Sequence, residues 1–162
     1  MGLDMYLCLK KYRSIGRWDL ENNPALSADG FYPPELKEFQ DAIFERKFLT
    51  VDESYQVGYW RKANAIHHWI VENCAHGVDE CQIIFVSAEN LKKLRDVCES
   101  VLNDHSVAAS ILPTASGFFF GGREYDEYYF DEVEYTKELL DKVIDFLEEN
   151  GRNYTVEYQA SW

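Results

Sequence analysis

The sequence predicts an α+β fold: one globular domain over residues 1–162, with a mixed or mostly antiparallel sheet and about four helices. Three observations predict it. Leu3, Met5, Leu7 and Leu9 alternate with Asp4, Tyr6, Cys8 and Lys10, which is the period of a strand. Several later segments carry apolar residues at helical spacing beside capping signals. The chain then closes on a second alternating stretch, Tyr154, Val156 and Tyr158 against Asn153, Thr155 and Glu157. The chain has 162 residues, 46% of them apolar, so it can bury a sizeable core without disulfide or metal.

The first strand is expected to be central, because one face is aliphatic and the other is not charged throughout. Residues 12–30 hold Gly16, Asn22-Asn23-Pro24 and Asp29-Gly30, and read as a long loop in which Trp18 anchors and Arg13 and Arg17 can meet an anion. Pro33-Pro34 opens a helix, with Leu36, Phe39, Ile43 and Lys47 at helical spacing. Residues 48–51 form a short strand or a link.

The stretch YWRKANAIHHWIVENC, residues 59–74, reads as the organising helix. At about 100° per residue, Tyr59, Ala63, Ile66, Ile70 and Cys74 share a core-facing side. Trp60, Asn64, His67 and Val71 run along its margin, with Arg61, His68 and Glu72 further round. Gly77 suits a left-handed cap after it. Residues 82–86 (QIIFV) read as a buried strand. Ser87 caps the next helix, whose core stripe is Leu91, Leu94, Cys98, Val101 and Leu102. Residues 103–116 form a connector. GFFFGG, residues 117–122, and YDEYYFDEVEY, residues 125–135, read as the two strands of a hairpin. Thr136 then caps a last helix with Leu139, Leu140, Val143, Ile144 and Leu147 inward, closed by Asn150-Gly151.

The charge narrows the function classes. With 16 basic and 29 acidic residues the chain carries −13, which argues against nucleic-acid backbones and anionic membranes. It suits docking on a basic partner. No apolar run approaches the ~20 residues that span a bilayer. The N-terminus lacks the pattern of a secretory signal, so a cytoplasmic protein with reduced thiols is expected. Cys8, Cys74, Cys81 and Cys98 include no C-x-x-C pair. His67, His68, Cys74, His76 and Cys81 match no zinc spacing, and no cofactor is expected. No G-x-S-x-G, H-E-x-x-H, P-loop or G-x-G-x-x-G occurs, so no catalytic residue is assigned.

Two binding sites remain. In the first, Trp60, Arg61, Asn64 and His67 line a pocket with Phe119, Arg123 and Tyr125 from the hairpin. Arginine would meet a phosphate, the rings would stack on a base and Asn64 would read a polar edge. In the second, Asp126, Glu127, Asp131, Glu132 and Glu134 present carboxylates in place of nucleic-acid phosphates. They belong to a tract, residues 124–149, with 11 acidic and 2 basic residues.

Five blocks, MGLDMYL (residues 1–7), YWRKANAIH (59–67), GVDEC (77–81), LPTASGFFFG (112–121) and YDEYYF (125–130), resemble a family of small proteins from bacteria and their phages. The resemblance covers nearly the whole chain. It implies a phage or bacterial setting and no established activity. Small phage proteins often inhibit host defences, by sequestering nucleotide signals or by blocking a host protein. The expectation is therefore a non-enzymatic phage or prophage binding protein that sequesters a small nucleotide-like ligand. The alternatives are an acidic nucleic-acid mimic that binds a basic host protein, and an enzyme acting on a nucleotide. Association of copies is left open.

Overall fold

A computed structural model describes residues 2–46, 48–117 and 120–162. Its strands are β1 (Asp4–Ile15), β2 (Leu49–Arg61), β3 (Ile84–Phe85) and β4 (Thr155–Ser161), in the sheet order β2-β1-β4-β3. The sheet is antiparallel, and with its helices gives the expected α+β fold. β3 and β4 pair with Ile84 opposite Tyr158. Four helices have eight or more residues: α2 (Lys37–Phe44), α3 (Asn64–Cys74), α4 (Ala88–Asn103) and α6 (Glu127–Asn150). Two shorter ones are α1 (Arg17–Asn22) and α5 (Ala108–Ile111).

The chain divides into two compact units, Met1–Leu9 with Tyr55–Trp162, and Lys10–Ser54. In the first, the predicted alternation holds. Leu3, Met5, Leu7 and Leu9 are buried, as are Val156, Tyr158 and Ala160 on β4. Alternate side chains of a strand face opposite sides, so one face of the sheet receives the helices. Gly58 shows how closely. A Cβ there would stand 2.5 Å from Leu139 Cδ2 of α6 and 3.2 Å from Leu7 Cβ. Only a residue without a side chain lets the helix come down on β2 at this point. Beside it the Trp60 indole is 2% exposed, and its Nε1–H donates to Thr136 Oγ1 on α6 at 2.8 Å. The Thr136 hydroxyl passes the chain on, donating to the Glu132 carbonyl at 2.6 Å. On the other face Tyr59 donates to Asp4 Oδ1 at 2.5 Å, and its ring lies 5.5 Å from that of Tyr6.

α4 packs along α6. Leu91, Leu94, Cys98 and Val101 face Val133, Leu140, Val143 and Ile144 within one core cluster. Ser87 caps α4 as expected, accepting from Asn90 N–H at 3.1 Å. After α3, His76 (φ +55°) and Gly77 (φ +77°) both take the left-handed conformation, and Gly77 N–H donates to Val71 O at 3.1 Å.

Unit Lys10–Ser54 holds the distal parts of β1 and β2, with α1, a 3-10 turn at Pro34–Leu36, and α2. Gln40 is buried here. Its amide donates to Ala28 O at 2.7 Å and its carbonyl accepts from Tyr32 N–H at 3.3 Å. Tyr32 donates in turn to Thr50 O at 3.2 Å.

Several expectations fail, each for a stated reason. The region read as a loop from residue 12 holds the end of β1 and then α1, whose N-cap Gly16 is closed by its own N–H to Asp19 Oδ2 at 2.7 Å. Residues 59–61 belong to β2, so the organising helix begins five residues later than its periodicity suggested. The stretch 82–86 narrows to the two strand residues of β3, and the connector 103–116 contains α5. The largest difference lies at residues 125–135, where α6 begins at Glu127 and no hairpin strand forms. Asp126 is the true cap, accepting from Tyr129 N–H at 3.1 Å, and Thr136 sits inside the helix. Leu36, Phe39 and Ile43, read at helical spacing, are exposed. Lys47, Phe118 and Phe119 lie outside the described residues.

Candidate functional site

The link from β2 to α3 builds the site. Lys62 takes φ +63°, its N–H donates to Leu3 O at 2.7 Å, and its own carbonyl accepts from Asn64 N–H at 2.8 Å. Ala63 between them has φ −76° and ψ 67°, an inverse γ-turn. This tight corner turns Asn64 inward at the start of α3. Its amide makes three bonds to one loop: Nδ2 donates to Phe120 O at 3.0 Å and Gly122 O at 2.8 Å, and Oδ1 accepts from Ala115 N–H at 3.0 Å. One buried side chain thus ties together Ala115, Phe120 and Gly122, which belong to no helix or strand. Thr114 and Tyr129 complete the anchorage. The Thr114 hydroxyl donates to Arg123 O at 3.1 Å, and Tyr129 donates to Leu112 O at 2.8 Å.

Between this loop, the corner and the first turns of α6 lies an open cleft of about 130 Å³. Asn64, Ala65 and Ile66 form one wall, Thr114 and Gly122 another, and Tyr128, Tyr129, Glu132 and Val133 the third. Three carboxylates border it, those of Glu124, Asp126 and Glu132, against one ammonium, that of Lys62. Asp126 is already committed as helix cap. Glu132 is different: its Oε2 is buried and has no hydrogen-bond partner. Burial raises the Glu132 carboxyl above the usual carboxylate range; the Tyr128 hydroxyl opposes that rise and the Asp131 charge adds to it. Tyr128 donates to Arg61 O, and burial with the Glu132 charge pushes its phenol up to about 12.

His67, expected in the pocket wall, lies 1% exposed beneath it. Its Nδ1 stands 2.7 Å from the Tyr158 hydroxyl and its Nε2 3.0 Å from Asp79 Oδ2. Burial, then the Asp79 charge, raises Tyr158 well above its ordinary value. The phenol keeps its proton; the Asp79 carboxylate can only accept, so Nε2–H donates to it, and in the neutral imidazole Nδ1 then accepts from the phenol. Phe120 meets this imidazole edge-on at 5.2 Å between ring centres.

The expected residues thus separate. Asn64 borders the cleft, but Trp60 and His67 are consumed in the core. Arg61 and Arg123 are exposed, and each contributes its carbonyl to a bond from a neighbour. Tyr125 accepts from Thr114 N–H at 3.3 Å and packs on Tyr129. Phe119 lies outside the described residues. Among the acidic candidates, Asp126 and Glu132 border the cleft. Glu127, Asp131 and Glu134 turn to solvent on α6.

Those three belong to a longer stripe. At about 100° per residue Glu127, Asp131, Glu134, Glu138, Asp145 and Glu149 fall within roughly 60° of one another, along about 33 Å of helix. All six are exposed. A second, more open hollow lies beside α3, lined by His68, Trp69, Glu72, Asn73, Ile111 and Pro113.

Lys62, Thr114, Tyr128 and Tyr129 were missed by sequence reasoning. The tyrosines were readable from Asp126 as an N-cap followed by Tyr129, Val133, Leu140 and Ile144 at helical spacing. Thr114 and Lys62 gave no local signal. All four cysteines are free; burial lifts the Cys98 thiol to about 12 and raises Cys74 as well. Among the described residues no three His, Cys, Asp or Glu side chains converge as metal ligands, and no helix is long and apolar enough to cross a membrane. No family model, curated protein or solved structure matches the chain.

Proposed function

We propose that the chain is a non-catalytic binding protein whose cleft takes a compact organic cation, a primary amine or a guanidinium. The observation that supports this is the Glu132 carboxylate, which lines the cleft and is half withdrawn from water. Glu124 and Asp126 add to the same sign of potential. The size agrees with one head group: about 130 Å³ is a little less than the ~150 Å³ cavity that benzene fills. A phosphate would meet three carboxylates there, so a nucleotide-like ligand is less well supported than the motifs implied. In the phage setting that the motifs imply, the ligand would be a host metabolite or a basic side chain.

Calorimetry with agmatine, putrescine and arginine, beside a panel of nucleotides, tests this. An amine that binds the wild type and loses about 10–100-fold in affinity on Glu132→Gln supports it, in line with one charged hydrogen bond. Affinity should also fall on acidification, starting above the pH at which exposed carboxylates titrate, because the raised Glu132 takes up its proton early. Binding of nucleotides alone, indifferent to Glu132, overturns it.

The acidic stripe of α6 favours a second reading, a partner face for a basic host protein. Glu127/Asp131, Glu134/Glu138 and Asp145/Glu149 are like charges four residues apart, and such pairs destabilise a helix by about 0.2–0.5 kcal/mol each. Carrying three of them on one exposed line is a cost that a cationic partner would offset. Capture of such a partner should weaken steeply with salt, whereas amine binding in the cleft should weaken less.

A further inference from the structure

We propose that two copies of this chain associate through α2, antiparallel and about a two-fold axis. α2 sits in the unit Lys10–Ser54 and turns an apolar line outward. Leu36, Phe39 and Ile43 are 42%, 63% and 45% exposed. Phe39 and Ile43, four residues apart within α2, share one face, and Leu36 is the N-cap of that helix. Three large exposed apolar side chains this close together mark a contact surface.

What covers them follows from the charges. Glu35 lies two residues before α2 and Arg46 two residues beyond it, and both are exposed. They sit equally far in sequence from the midpoint between Gln40 and Asp41. A second α2 laid antiparallel across that midpoint therefore sets each Glu35 against Arg46 of the other copy. The same register places Phe39 of each copy over Ala42 and Ile43 of the other. The surface is complementary to itself, which is what a two-fold contact requires.

The wider charge distribution selects the same place. Unit Lys10–Ser54 has seven basic and nine acidic residues, −2 in all, while the rest of the chain has nine basic and twenty acidic, −11. Two copies meeting through the acidic part would set carboxylates against carboxylates. Through α2 they meet where repulsion is least. A single helix pair buries little area, so the association is weak and concentration-dependent.

Sedimentation equilibrium of the full chain, from micromolar to roughly millimolar, tests the proposal. The wild type should approach twice the monomer mass at the upper end. Phe39→Asp should stay monomeric with an unchanged circular dichroism spectrum. Glu35→Arg should raise the dissociation constant by about tenfold, and Glu35→Arg with Arg46→Glu should restore it. Because both charged positions are exposed, this pair decides the question even if Phe39→Asp does not fold. A wild type that remains monomeric throughout overturns the proposal and leaves the stripe to a different protein. So does a dimer that ignores Phe39→Asp, or a double charge swap that fails to rescue.

Discussion

Between Lys10 and Ser54, Ile15, Gln40 and Leu49 are the buried residues among those described. The other unit buries two full strand faces, the inner sides of α3, α4 and α6, and three polar side chains, Asn64, His67 and Thr136, each hydrogen-bonded. Apolar content does not explain the contrast. Unit Lys10–Ser54 has Trp18, Leu26, Phe39 and Ile43, but all four are exposed, Trp18 by 72%. What differs is whether a second layer exists. β2 has α6 pressed on it through the gap that Gly58 leaves, beside Leu7 of β1. In α2 the buried residue is Gln40, held by its amide to Ala28 and Tyr32, while Phe39 and Ile43 stay exposed.

Hydrogen exchange should expose this contrast most strongly. Amides of α2 should exchange at least ~100-fold faster than those in the middle of α6, because opening an element with few buried contacts costs little. Equal protection in the two helices would break the comparison.

Asn64→Ala should be the most damaging single change named here. It removes three bonds, to Ala115, Phe120 and Gly122, and leaves part-buried backbone groups unpaired, at about 3 kcal/mol by urea denaturation. Tyr158→Phe comes next. It strips the donor from buried His67 Nδ1 and should cost about 1–3 kcal/mol. A loss well under that range would mean that water reaches the imidazole.

Glu132→Gln should act in the opposite direction. The fold raises this carboxyl, so it favours the protonated form. The penalty for ionisation is absent in acid, grows as pH rises from the ordinary carboxylate value to the raised one, and is complete above that. At neutral pH the amide should therefore give a small rise in melting temperature, with the difference vanishing toward pH 3–4, near the unperturbed carboxylate value of about 4.3. Gaining stability while losing amine binding would mark a residue kept for its ligand. The smallest effect belongs to Phe39→Ser. Measured at low concentration, where the chain is monomeric, it should change stability by no more than about 0.5 kcal/mol, as an exposed position does.

Much of the first unit was legible in order along the chain. The aliphatic face of β1, the Ser87 cap, the α4 stripe and the final strand each announce themselves within a few residues. The site was legible at Asn64 and little else. Trp60 and His67 carry the chemistry of a pocket, but β2 and β4 draw them into the core, where Thr136 and Tyr158 satisfy them. The acidic tyrosine tract misled for a related reason. Residues 125–135 alternate well enough to read as a strand and also place Tyr129 and Val133 at helical spacing, so local pattern alone does not choose.

The sequence by itself determined what depends on neighbours along the chain: which residues alternate, which stretches can be capped, and a charge of −13. Only the tertiary structure decided that the tract becomes α6, since the helix is selected by burying Tyr129, Val133 and Leu140 against partners far away in sequence. The cleft has the same origin. It is the space left where a γ-turn, an Asn-pinned loop and a helix end meet, and their distances are set by packing rather than by any one segment's pattern.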